Sequence, residues 1–359
     1  MWPDRRLLDL FRIEYPIVQA PMAGAMDGAL AAAVSKAGGL GSLPCAMLSV
    51  ESIRAEMAKI RESTRKPVNL NFFCHRAPVP NNAREAVWRE KLAPYYHEFG
   101  IDPSTAVAFA NRKPFDESTL EVVRELRPEV VSFHFGLPEP RLFEGLKREG
   151  VIVISSATTV DEARWLDERG VDAVIAQGFE AGGHRGMFLA EDVGTQVGTL
   201  ALVPQIVDAV ELPVIAAGGI ADARGIAAAF ALGAAGVQIG SAYLRCPEAK
   251  ISAPHREAIQ SARDDSTVLT NVMTGRPARG FITRVVREMG PIDQAAPEFP
   301  LAAAAIQPLR AKAEAQGSGD FSPLWAGQAV ALGRDLPAAE VTQRLAAETE
   351  AYFRKLGQL

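Results

Sequence analysis

The chain has 359 residues, 48% of them hydrophobic and 23% charged, which provides for a large buried core and excludes a disordered chain. Its net charge is −5, with acidic and basic residues interspersed, so the basic footprint of a nucleic-acid binder is absent. No run of about 18 apolar residues predicts a membrane span, and the opening MWPDRRLLDLFRIEYP lacks the apolar centre of an export signal.

Along the first 245 or so residues, short β-type runs alternate with amphipathic helix-type runs. The expected strands are YPIVQAPM (15–22), LGSLPC (40–45), PVNLNFF (67–73), VVSFHFG (130–136), VIVISSAT (151–158), DAVIAQG (172–178), LPVIAAGG (212–219) and AGVQIGSAY (235–243). Several are nearly continuous apolar runs, as when helices cover both faces of a parallel sheet. Eight such alternations predict an α/β fold, a (β/α)8 TIM barrel with a smaller helical cap domain, ahead of a doubly wound open sheet. Residues 77–128, with Pro78, Pro80 and Pro94, interrupt the rhythm and carry an expected helix over 82–99. After 246 the alternation stops. A helix over 254–263, an extended stretch in TVLTNVMTGRPARGF and further helices are expected there, with GSGD (317–320) between the last two. The expected division is a barrel of 1–76 and 105–250, an inserted helical segment 77–104, and a mainly helical cap over 251–359.

Barrel chemistry sits at the C-terminal ends of the strands. Asn69 and Asn71 share one face of their strand by the two-residue period, and asparagine is depleted in strands, so the pair suggests a ligand at the mouth. Gln177 ends the sixth run. Gly218, Gly219, Gly240 and Ser241 end the last two runs, where barrels often bind phosphate with the help of a helix N-terminus. Ala20, Pro21 and Met22 offer an apolar wall for a flat ring, and the Asn71 and Gln177 amides can meet donors and acceptors along its edge. FMN fits these features better than NAD, since no GxGxxG follows the first strand; a phosphorylated sugar satisfies the same composition.

The loop GFEAGGHRG after the sixth strand holds His184 behind Gly182 and Gly183, which let the main chain run close to a ligand. An imidazole there can take a proton from a weak carbon acid or hold an anion, and Arg185 either steers an anion or is solvated. His134 and His75 either line the pocket or pack in the core, and His97 and His255 read as helical and exposed. No HExxH, HxH or carboxylate cluster predicts a metal site. Cys45, Cys74 and Cys246 form no CxxC pair, in keeping with a cytoplasmic protein.

Together QAPM, AGGLGSL, NLNFFCHR, VSFHFG, AQGFEAGGHRG, PVIAAGGI and VQIGSAYLRCPE resemble the nitronate monooxygenase family, in order from about residue 15 to 290 and more weakly to WAGQ (325–328). The resemblance implies an FMN-bound barrel that oxidises alkyl nitronates, or nitroalkanes, with O2 to a carbonyl compound and nitrite. It implies His184 as catalytic base and anion anchor, and Asn71, Gln177, Gly182, Gly219, Gln238, Gly240 and Ser241 at FMN. PEFPLAAAAIQPLR departs from the family pattern, with Phe299, Ala303 and Gln307 in place of tyrosines and a lysine, which bears on the substrate. The competing expectations are an FMN-dependent NAD(P)H:quinone or enoyl-thioester reductase and a non-catalytic sensor. No nucleic acid or membrane partner is expected, and the alanine-rich tail allows a homodimer.

Overall fold

A computed structural model describes residues 2–102 and 113–357. The expected boundary at 104/105 lies outside the described residues. The apolar runs become β1 (Ile17–Gln19), β2 (Gly41–Pro44), β3 (Val68–Phe73), β4 (Val130–His134), β5 (Ile152–Ala157) and β6 (Ala173–Gln177). A two-residue β7 (Gly183–His184) follows, then β8 (Val214–Ala217) and β9 (Gly236–Ile239). All but β7 form one parallel sheet in the order β1-β9-β8-β6-β5-β4-β3-β2. A parallel bridge between Val18 and Leu40 closes it into a ring: Leu40 N donates to Ile17 O and Gln19 N to Leu40 O, both at 2.9 Å. The (β/α)8 barrel is the fold. Each strand is one to five residues shorter than its apolar run, because the run extends into the loops that line the mouth.

Helices cover the ring, and their starts are written in the sequence. Asp27, Ser49, Asp116 and Thr159 each accept a main-chain N–H of the helix they precede, and Asp116 with Thr119 forms a full capping box. Their inner faces bury Leu30, Ile53, Met57, Leu146 and Leu166 against the strands. Each such side chain contributes about 1.5–3 kcal/mol. The strand interior is polar in one layer, where Asn69 Nδ2 donates to Ser42 Oγ (3.0 Å) and Ser132 Oγ (2.8 Å).

A second apolar cluster lies outside the barrel core. It joins Trp88, Leu92 and Tyr95 of the helix Asn82–Glu98 to Ile306 and Leu309 of the helix Ala302–Ala315, with Val272 and Phe321. The extended stretch beyond 266 is a hairpin, β10 (Thr267–Thr270) and β11 (Ala278–Phe281), and β11 also pairs antiparallel with β7. The loop that carries His184 is thus the third strand of this small sheet.

The last helix, Ala338–Leu356, differs from its expected place in the cap. It packs on the barrel between the helices Gly28–Lys36 and Ala223–Ala231 and fills the eighth helical position of the ring. Val341, Leu345 and Ala346 join the barrel core, Phe353 meets Phe230, and Thr342 Oγ1 lies 2.8 Å from the Tyr243 hydroxyl. The residues from 251 to 337 are therefore an excursion between the eighth barrel strand and its helix. Among the described residues no helix is long and apolar enough to cross a membrane.

Candidate active site

The C-terminal strand ends open into a cavity of about 500 Å³, within the range of small-molecule and cofactor sites. Ala20, Pro21 and Met22 line it from the end of β1, Asn71 from β3 and Gln177 from β6. Gly182, Gly183 and His184 line it from β7 and its approach, Gly218 and Gly219 from the end of β8, and Gln238, Gly240 and Ser241 from β9. Residues up to 221 positions apart in sequence thus share one wall, because parallel strands bring all their C-terminal ends to one face. Asn69 is not among them: one pleat deeper, it belongs to the polar layer inside the ring.

His184 is fixed mainly through its backbone. Its carbonyl accepts from Gln177 Nε2 (3.0 Å) and from His134 Nε2 (3.1 Å), while Gly186 N donates to Gln177 Oε1 (2.7 Å). Since the carbonyl only accepts, His134 carries its proton on Nε2, and its Nδ1 accepts from the Ser156 hydroxyl at 2.6 Å. Burial, with Arg276 and Arg185 nearby, lowers the His134 pKa to about 3, so this imidazole is neutral. The His184 ring has Nε2 at 2.9 Å from Thr274 Oγ1.

Arg185 has no steering role. It is fully buried, and its guanidinium donates to Gln177 O (2.7 Å), Gly178 O and Gln196 Oε1. Burial brings its pKa down to about 10, still a cation at neutral pH. It locks the exit of β6 to the loop. His255 is also not the exposed residue expected: it is buried, lines the cavity, and donates from Nε2 to Trp325 O at 3.2 Å. Burial lowers its pKa to about 4. His75 is buried against Phe299 and Phe135, and His97 is exposed.

The cavity can be tested as a flavin mononucleotide site from its own atoms. Gln238 Oε1 is buried in the wall with no hydrogen-bond partner, an acceptor awaiting a donor such as a flavin ring N–H. Gly218 (φ +112°) and Gly219 (φ +70°) adopt a backbone that favours glycine and bring main-chain N–H groups to the wall. Ser241 Oγ accepts from Gly327 N (2.8 Å), which leaves its own proton to donate. The helix after β8 adds less than expected, since Asp222 already accepts from its first amides, Arg224 N and Gly225 N. The short 3-10 helix Ser241–Arg245 has no side-chain cap and begins in the cavity wall. An apolar wall, amides for a polar ring edge and neutral donors for a phosphate all fit FMN. Among the described residues no cluster of His, Cys, Asp and Glu could hold a metal ion.

Sequence reasoning missed three contributors. Glu180 lines the cavity and uses its carboxylate on Thr199 N (2.8 Å) and Thr199 Oγ1 (2.7 Å), anchoring the start of the helix Thr199–Val207. Thr274 reaches His184 from the hairpin. Trp325 arrives on a segment, Ser322–Gly327, that crosses the mouth: Leu324 O accepts from Phe281 N (2.9 Å), and Gln328 N just beyond it donates to Glu180 O (3.0 Å). Only WAGQ hinted at this segment.

Comparison with known proteins agrees over nearly the whole chain. The family described as Nitronate monooxygenase matches residues 4–348. A nitronate monooxygenase of Pseudomonas aeruginosa is 44% identical over 96% of this chain and 98% of its own length. One of Paraburkholderia phytofirmans is 41% identical over 99% and 97%. The structure of a nitroalkane oxidase from Streptomyces ansochromogenes superposes with a TM-score of 0.89 at 37% identity, covering 98% of this chain and 99% of the other.

Proposed function

The chain belongs to the nitronate monooxygenase family and is an oxidoreductase; from that premise we propose that it oxidises alkyl nitronates, and nitroalkanes after removal of a proton, with O2 to a carbonyl compound and nitrite. FMN is the proposed resident cofactor. The observation that carries the reading is His184, held by its main chain at a cavity that the glycine and serine ends of β8 and β9 also line.

Gly182, Gly183, Gly218, Gly219, Gly240 and Ser241 would hold the phosphate and the chain next to it. Ala20, Pro21 and Met22 would back the ring, and Asn71, Gln177 and Gln238 would meet its polar edge. FMN, when bound, supplies the electron transfer between nitronate and O2. The protein supplies the proton chemistry and the enclosure. Thr274 Oγ1 lies 2.9 Å from His184 Nε2, and its own hydroxyl reaches Arg276 O at 3.4 Å. With the hydroxyl turned to that carbonyl, Nε2–H donates to Thr274 and Nδ1 bears the lone pair. The imidazole takes the proton from the carbon beside the nitro group, and the imidazolium stays beside the nitronate as its counter-ion. Trp325 and the apolar walls limit water around this pair, which strengthens it.

The test is to mix the flavin-loaded protein without O2, separately with propyl-2-nitronate and with NADH, and then to admit air. The expected result is reduction by nitronate alone, followed by nitrite and acetone. Rapid reduction by NADH with no response to nitronate would assign the site to a reductase.

A further inference from the structure

His184 lies in a box of aromatic rings. Its centroid is 5.1 Å from Phe299, 5.5 Å from Trp325, 6.2 Å from Phe135 and 6.4 Å from Phe73. Phe73 and Trp325 also line the cavity, and Trp325 stands out because it has the strongest π-face of the four. One strand fixes both partners: β11 places Ala278 opposite His184 and Gly280 opposite Trp325. A Cβ on Gly280 would lie 2.8 Å from the indole Cε3, so the indole occupies space that a side chain on that strand would fill. His255 Nε2 holds the Trp325 carbonyl from the other side at 3.2 Å. The indole is thus clamped at a fixed distance from the imidazole rather than resting there.

We infer that Trp325 is a positioning residue whose indole face stabilises the protonated form of His184. The inference rests on the reading that His184 takes a proton. Two effects of a tryptophan beside an imidazole oppose one another. Excluding water disfavours the imidazolium, whereas the negative face of the ring attracts it. The centroids are 5.5 Å apart with the planes inclined at 60°, a separation within the range of that attraction, and we take the ring term as the larger of the two. The charged and titratable groups on the elements round the ring are His75, His134, Glu180, Arg185, His255, Arg276, Arg279 and Glu298. His255 meets Trp325 through the main-chain carbonyl, which a side-chain substitution retains. In function, the indole makes His184 a stronger base towards a neutral nitroalkane and keeps the resulting cation beside the nitronate.

The experiment is an NMR pH titration of the flavin-loaded protein with 15N-labelled histidine. The chain has five histidines, and the resonance missing from His184→Asn identifies the one that matters. In Trp325→Leu the His184 midpoint is expected to fall by about 0.5–1.5 pH units, and in Trp325→Phe by less. The kcat/KM profile for nitroethane should move with it. A midpoint that stays or rises in Trp325→Leu overturns the inference, a rise meaning that water exclusion was the larger effect. Should Trp325→Leu fail to retain flavin, biosynthetic 5-fluorotryptophan weakens the π-face without changing the packing. It should lower the midpoint, and no change would again overturn the inference. The titration does not depend on turnover. A His184→Asn variant with full activity would refute the proposed base while leaving the interaction between the two rings standing.

Discussion

His184 is held by its peptide group more than by its imidazole. The two donors on its carbonyl, Gln177 and His134, and the main-chain bond from Arg185 N to Pro277 O (2.9 Å) do not depend on which side chain occupies the position. His184→Asn is therefore expected to fold and to retain flavin. It should lose about 10²–10⁴-fold in kcat/KM for a neutral nitroalkane, the usual worth of a positioned base. Steady-state kinetics on nitroethane, with flavin content measured in parallel, checks both halves; unchanged kcat/KM would remove His184 from the mechanism. At this scale the sequence was informative but incomplete. A histidine among glycines just past a strand end was legible. The partners of Arg185 and the burial of His255 were not, because a residue's environment in a loop or on a cap helix depends on which distant segment covers it.

The elements that form the site meet only through the barrel. β8 and β9 each end in a pair that offers main-chain donors, and at Gly219 (φ +70°) any L side chain is strained whatever the space around it. Gly219→Val is expected to lower flavin occupancy well below that of the parent protein while leaving the thermal transition of the flavin-free form within a few degrees. Absorbance after gel filtration measures the first and calorimetry the second; full occupancy would argue against a phosphate at this wall. The β-hairpin shows where reading by element falls short. TVLTNVMTGRPARGF was legible as extended, and yet nothing local said that it would pair with Gly183 and His184, 94 residues away at its closest register pair, Ala278 with His184, to build a second sheet. Strand pairing between distant segments is set by the fold that delivers them.

Seen as a whole, the molecule is a ring whose last helix is supplied by the chain terminus. Removing residues 338–359 should expose Val341, Leu345 and Ala346 together with the strand-facing surface they cover, and leave Tyr243 without Thr342. The truncated protein is expected to be insoluble or to lose its cooperative melting transition, whereas a cap-only role for this segment would leave a stable, flavin-binding barrel. Two histidines held neutral by the fold set an acid limit. His134 and His255 are neutral in the fold, with pKa values of about 3 and about 4, both below the ordinary 6.5. Above that value neither state binds the proton. As pH falls below it, only the unfolded chain takes it up, so stability drops by about 1.4 kcal/mol per pH unit for each group until the folded pKa is reached. The urea midpoint should therefore be lower at pH 5 than at pH 7, and a double His134→Gln, His255→Gln variant should flatten that dependence.

Local sequence was enough for the eight strands, their parallel sense and the polar and glycine residues at the strand ends. These are local properties: apolar period and backbone freedom act within a few residues of one another. Only the tertiary structure decided that Asn69 faces the interior layer while Asn71 reaches the cavity, that Arg185 is a buried clamp, that Trp325 stands beside His184, and that the final helix belongs to the barrel. Each of these depends on closing the ring, because closure fixes which segments, hundreds of residues apart, must share one surface.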